Sequence, residues 1–163
     1  MTTSIFTTTH VRVQTEKTFG EVTSSIEGQL GKFDPTVLQA LGANAEHADA
    51  ARAQIETMAG SSSFMLFGTI DHGTLLTLAG QQRKGVQYVL GNPLIAIEMT
   101  RHNLAAGLYA PLRVLVYEDD RGRTCLEYDK PSSLFGQFSN DRISSVAILL
   151  DRKIEAVIAK AIG

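Results

Sequence analysis

Leu112-Arg113-Val114-Leu115-Val116-Tyr117, then Glu118-Asp119-Asp120-Arg121-Gly122, then Thr124-Cys125-Leu126-Glu127-Tyr128, sets the frame of the whole chain. The first segment is apolar on both faces apart from Arg113, which predicts a central strand. The second is a polar turn rich in hairpin chemistry. The third returns as a strand. Pro131 ends it and leads into a short helix or turn around Leu134 and Phe135.

The C-terminal element is the clearest in the chain. Asn140 or Ser139 caps it, and Ile143, Val146, Ala147, Leu150, Ile154, Val157, Ile158 and Ala161 recur at three- and four-residue steps. This spacing predicts a long amphipathic helix, with Lys160 well placed near its C-terminus. Upstream, His10–Gln14 alternates, with Val11 and Val13 on one face, and reads as a half-buried strand. Thr18 and Glu21 have the spacing of a capping box. Phe19, Val22, Ile26 and Leu30 then predict a helix over 18–30, ending near Gly31. Asp34-Pro35 opens a second helix carrying Val37, Leu38 and Leu41 and stopping at Gly42. Asn44 can cap a third, with Ala48, Ala51, Ile55 and Met58 on one stripe, broken by Gly60-Ser61-Ser62-Ser63.

Phe64–Ile70 reads as a strand, with Asp71 capping a helix over 73–79 that Gly80 ends. Val86–Leu90 reads as another strand. Gly91-Asn92-Pro93 turns it into a helix reaching Asn103, and Gly107 closes that stretch. The predicted fold class is α+β: one mixed, largely antiparallel sheet of four to five strands packed against helices, with a long C-terminal helix. No internal repeat or long linker divides the chain, so residues 1–163 are expected to form a single domain.

The 163 residues are 44% hydrophobic and 20% charged, a globular composition. The net charge is −2 and the pI about 6.1, so no basic excess exists to neutralise phosphates, and nucleic acid is not an expected partner. Tryptophan is absent and aromatics make up 7%, which argues against a stacking platform for single strands. The one cysteine, Cys125, forms no intramolecular disulfide, which points to a reducing, cytoplasmic setting. Met1–Thr9 has no positive n-region and does not read as a signal peptide. The apolar runs fall far short of the roughly twenty residues that span a bilayer, so no membrane partner is expected.

The residues that could carry chemistry each have a plainer reading. Asp71-His72 is a candidate general base beside a carboxylate, against an Asp cap with an exposed His. Gly91-Asn92-Pro93 is a candidate anion site at a helix N-terminus, against an ordinary strand-to-helix turn. Glu118, on the face of Val114 and Val116, is a candidate acid, against a solvated strand end. Asp119 and Asp120 read as turn residues. His10, His47, His72 and His102 lack metal spacing, and neither a metal nor another cofactor is expected. Cys125 reads as a packed thiol. Pro111 fixes the entry of the central strand, and an X–Pro bond there can be cis or trans.

Four motifs in order resemble a known family: Phe64-Met-Leu-Phe-Gly-Thr-Ile-Asp-His72, Leu90-Gly-Asn-Pro93, Ala110-Pro-Leu-Arg-Val-Leu-Val-Tyr-Glu-Asp119, and Tyr128-Asp-Lys-Pro131. Together with Gly122 they resemble the domain-of-unknown-function family DUF302 over residues 64–138. Two departures stand out. A helical segment over 32–62 intervenes where the family passes almost directly to its Ile-Asp-His strand, and Ala110 replaces the family's usual Leu. The resemblance implies a compact α+β fold and a homodimer. It implies no reaction. Combined with their place at strand ends, where open sheets tend to bind ligands, it marks Asp71, His72, Asn92, Pro93 and Glu118 as the ligand-binding candidates.

Three functions follow. The favoured one is a binding module for a small, partly apolar molecule, with an anionic one as an option, framed by strand ends, the Asn92 helix start and the 32–62 helices. The second is an interaction homodimer without a ligand. The third is an enzyme with His72 as acid–base, oriented by Asp71 or Glu118. The ligand-binding and enzyme readings lean on Asp71, His72, Asn92 and Glu118 meeting at one rim.

Overall fold

In the computed structural model, which describes residues 1, 3–41 and 47–163, the Leu112–Glu118 stretch is a strand in the middle of a six-stranded sheet. In chain order the strands are β1 (His10–Thr15), β2 (Gly31–Lys32), β3 (Met65–Asp71), β4 (Gly85–Gly91), β5 (Leu112–Glu118) and β6 (Thr124–Asp129). They lie in the order β1-β6-β5-β4-β3-β2. The β2–β3 pair is parallel and the other pairs are antiparallel, so the sheet is mixed. The helices are α1 (Phe19–Glu27), α2 (Thr36–Leu41), α3 (Ala48–Met58), α4 (His72–Leu76), α5 (Pro93–Thr100), α6 (Pro131–Phe135) and α7 (Asp141–Ile162).

The strand count exceeds the expected four to five because of β2. A two-residue strand has no periodicity to read. It exists because glycine lets two backbones touch: a Cβ on Gly31 would lie 1.7 Å from the Met58 carbonyl oxygen and 2.6 Å from the Gly60 nitrogen. At that contact the N–H groups of Gly31 and Gly60 both donate to the Phe64 carbonyl, at 2.9 and 3.0 Å.

Local chemistry otherwise governs the element ends. Thr18 and Glu21 form the reciprocal capping box of α1. That helix stops at Glu27 rather than running to Leu30, because Gln29 and Leu30 donate to carbonyls three residues back and tighten the chain out of it. Asp34 Oδ1 accepts from the Thr36 amide and hydroxyl at the start of α2. Gly42 and Asn44, the expected stop and cap between α2 and α3, lie outside the described residues. The helix expected to reach Asn103 ends at Thr100. The Asn103 side chain accepts from the Ala105 amide and starts a separate 3-10 segment, Leu104–Tyr109. The Ala110–Pro111 bond that leads into β5 is cis.

Alternation divides the two faces of the sheet. Leu112, Val114 and Val116 are buried, as are Tyr88 and Leu90 of β4 and Leu126 and Tyr128 of β6. They pack with Val22 and Ile26 of α1 and with Ile143, Ala147, Leu150, Ile154, Val157, Ile158 and Ala161 of α7. The stripe read from the C-terminal sequence is thus the side of α7 that closes the core. Side chains between these positions point the other way: Leu115, Tyr117, Gln87 and Val89 are half-buried, and Ile70 is exposed. A second, smaller core joins Val37 of α2, Ala51 and Ile55 of α3 and Met65 of β3, with Phe33 and Phe67 beside it.

Candidate functional site

The five candidate residues divide between opposite ends of the sheet. Register sets the division. Asp71 pairs with Val86 at the start of β4, and the Glu118 amide donates to the Lys84 carbonyl just before that strand. Asn92 and Pro93 follow Gly91, at the far end of β4. Val86 and Gly91 are five residues apart, about 17 Å along a strand. The expected common rim therefore does not form. Antiparallel pairing of β3, β4 and β5 sends the Asp71 and Glu118 ends one way and the Asn92 end the other.

At the first end the carboxylates already have partners. Asp71 caps α4: its carboxylate accepts from the Thr74 amide at 2.8 Å and from the Thr74 hydroxyl at 2.7 Å. These bonds hold its carboxyl below the usual aspartate value, the backbone bond first. Glu118 forms an ion pair with Lys84 Nζ at 2.8 Å. Asp119 behaves as a turn residue, accepting from the Arg121 and Arg123 amides and from the Arg123 guanidinium. The guanidinium bonds are the largest cause of its fall to about 2. His72 is exposed, and among the described residues no carboxylate lies within salt-bridge reach of its ring. The pairing weighed for Asp71-His72 is absent, because the Asp71 oxygens turn toward the helix they cap.

The other end holds a cavity of about 200 Å³. Gly91, Asn92 and Pro93 form one wall, Ala96 and Met99 of α5 a second, and Ala110, Pro111 and Leu112 a third. Phe67 of β3 and Phe33 close another side, their ring centroids 4.5 Å apart. Leu38, Ile95 and Leu150 complete the lining, which contains no charged residue among the described ones. Asn92 is its polar member, and its amide is committed at both atoms. Oδ1 accepts from the Leu94 amide at 2.9 Å, as expected of a cap, and Nδ2 donates to the Ser63 carbonyl at 2.9 Å. Asn92 therefore pins the turn that shapes the cavity.

Sequence reasoning found two members of this lining, Asn92 and Pro93, and expected the 32–62 segment to help frame a pocket. Phe33 and Leu38 come from that segment. It did not find Phe67, Met99 or Pro111. Phe67 gave no usable signal: it sits where the β3–β4 register shifts between Leu66 and Gly68, so alternation along the strand does not fix its face. Among the described residues no group of three or more His, Cys, Asp or Glu is placed to hold a metal. No helix there is long and apolar enough to cross a membrane.

Residues 43–161 match the family model described as domain of unknown function DUF302. The chain belongs to the DUF302 family. The match begins within the 32–62 segment and runs through α7, beyond the 64–138 stretch that carries the motifs. A crystal structure of an uncharacterized conserved DUF302 protein from Bacillus stearothermophilus aligns with a TM-score of 0.65. It does so at 18% identity, over 93% of this chain and 97% of that one. At that identity the likeness concerns the DUF302 fold alone. No curated protein matches this chain.

Proposed function

We propose that this DUF302 domain is a binding module for a small, uncharged, largely apolar molecule held beside the Gly91-Asn92-Pro93 turn. The observation that carries the reading is the cavity of about 200 Å³ whose walls are Phe33, Phe67, Pro93, Met99 and Pro111. Apolar cavities of about 150 Å³ accept benzene-sized ligands, so the size suits a compact ring or a short branched chain. No cation lines this cavity among the described residues, which supports an uncharged ligand over an anion, since a desolvated anion needs a paired cation. A thermal-shift screen of small apolar metabolites tests the reading. A ligand at one hundred times its Kd stabilises by about 2.7 kcal/mol. For a chain of this size that raises Tm by about 5–10 °C. Ala96→Phe, which fills the cavity from α5, should abolish the shift in a protein that still folds. A blank panel, or a shift that survives Ala96→Phe, would refute it.

A second reading is the homodimer implied by the family resemblance. It is supported by the sheet face turned away from α1 and α7, where the register sets Ile70, Val89 and Leu115 on one side, beyond the part that α2 and α3 cover. Sedimentation of the wild type and of Leu115→Lys tests it: a dimer that the lysine breaks supports the reading, and a wild-type monomer at high concentration ends it. A cytoplasmic setting accords with the buried free thiol of Cys125. Acid–base catalysis by His72 draws no support from its surroundings, because no group among the described residues orients the ring.

A further inference from the structure

A second concavity, sharing no lining residue with the apolar cavity, lies between the 60–63 turn and α7. Its volume is about 400 Å³, and Ser61, Ser62, Ser63, Arg152, Lys153 and Lys160 line it. The three cations come from one helix, where Lys153 and Lys160 stand two turns apart on the same side as Ala156. None of the three has a carboxylate within 4.0 Å among the described residues, and no acidic side chain lines the concavity.

The facing turn is rigidly built. The Ser62 amide and hydroxyl both donate to the Gln29 carbonyl, at 3.2 and 2.8 Å, and the Phe64 amide donates to the Ser62 hydroxyl. The Ser63 amide donates to the Gly60 carbonyl, and the Ser63 carbonyl accepts from Asn92. Ser63 is held at φ 65°, a left-handed conformation that a serine seldom takes. A non-glycine residue held there by its neighbours is a mark of sites where geometry is preserved for a purpose. Those bonds occupy Ser62 and leave the Ser61 amide and the Ser61 and Ser63 hydroxyls with no acceptor among the described residues.

We propose that this concavity is a binding site for a phosphate monoester carried by a small soluble molecule. A phosphate group presents three strong acceptor oxygens and nearly two negative charges. The site opposes to them three cations and a fixed set of amide and hydroxyl donors, the pairing that makes the stronger charge-assisted hydrogen bonds. The site differs in chemistry from the apolar cavity and stands whether or not that cavity binds a ligand.

The test is an amide NMR titration of the full chain with inorganic phosphate and then glycerol phosphate, at ionic strength held constant with chloride. The expected result is saturable movement of the Ser61 and Ser63 amides with both probes, and none with chloride alone. Arg152→Gln with Lys160→Gln, both at exposed positions, should weaken binding at least tenfold. Arg113→Gln with Arg121→Gln removes the same charge elsewhere and should leave it unchanged. No saturable movement at Ser61–Ser63, or equal weakening by the two double variants, overturns the site. Sedimentation with phosphatidic acid vesicles separates the sources. Failure to sediment, or sedimentation that glycerol phosphate reverses, accords with a site for the free monoester. Vesicle capture that glycerol phosphate does not reverse overturns the small-molecule assignment.

Discussion

Replacing Gly31 with alanine adds one methyl group where the structure has no room for it. The new Cβ would lie 1.7 Å from the Met58 carbonyl oxygen, 2.6 Å from the Gly60 nitrogen and 2.8 Å from the Ala59 carbonyl carbon. All three are backbone atoms, so no side chain can swing aside. Relief requires β2 and the end of α3 to part by more than an ångström, which breaks the bonds that Gly31 and Gly60 share at the Phe64 carbonyl. Overpacking of this kind costs about 1–3 kcal/mol, and backbone displacement puts this case at about 3 kcal/mol. For a chain of this length that lowers Tm by about 6–12 °C. The displaced segment carries Phe33 and Leu38, so any ligand of the apolar cavity should also bind more weakly. Urea unfolding of Gly31→Ala against the wild type measures the cost. Gly20→Ala serves as the control, because a Cβ there meets nothing within 4 Å and Gly20 lies within α1, where alanine should stabilise by up to about 1 kcal/mol. A Gly31→Ala protein within about 0.5 kcal/mol of the wild type, the range of a neutral surface change, would refute the close-contact account of β2.

Asn92→Ala removes a cap and leaves the Ser63 carbonyl without its donor, a combined loss of about 2–3 kcal/mol. Asn92→Asp keeps the cap alone and should fall between alanine and the wild type in denaturant midpoint. His10 lies between Asp129 and Glu127, at 3.0 and 3.1 Å, and its hydrogen bonds to Asp129 and then Glu127 raise its pKa. A raised native value means its stabilisation is complete below the unfolded value of about 6.5 and fades as pH rises through the native one. Unfolding midpoints should thus decline from pH 5.5 to 8.5 in the wild type more than in His10→Gln, with Arg12 still holding Glu127 in both. Equal slopes would refute the coupling. Tyr117 ionises at about 12, through desolvation and then its hydrogen bond to Glu127. Glu127→Gln should lower that midpoint in a tyrosine-labelled NMR titration, and an unmoved midpoint would refute the contribution of Glu127.

Much of the fold was legible in the residues because the signals are local. A capping box at Thr18–Glu21, a cap at Asn92 and a stripe from Ile143 to Ala161 are each satisfied within one or two helical turns. The same locality explains the small errors. Nothing near Asn103 announces that its own side chain will end one helix and begin a 3-10 segment. β2 has no signal within its two residues, since its existence depends on Gly60, far along the chain.

Taken alone, the residues determined an α+β chain, the caps that start its helices and the apolar stripe of α7, because each depends on neighbours a few positions away. Which strand ends meet was settled by the pairing of distant segments. Antiparallel pairing carried Asn92 to one end of the sheet and Asp71, His72 and Glu118 to the other. The same folding brought Phe33, Phe67, Met99 and Pro111 around one cavity and set the Ser61–Ser63 turn against Arg152 and Lys160. Strand register and helix packing bring together residues that are remote in sequence, and no local pattern encodes those meetings.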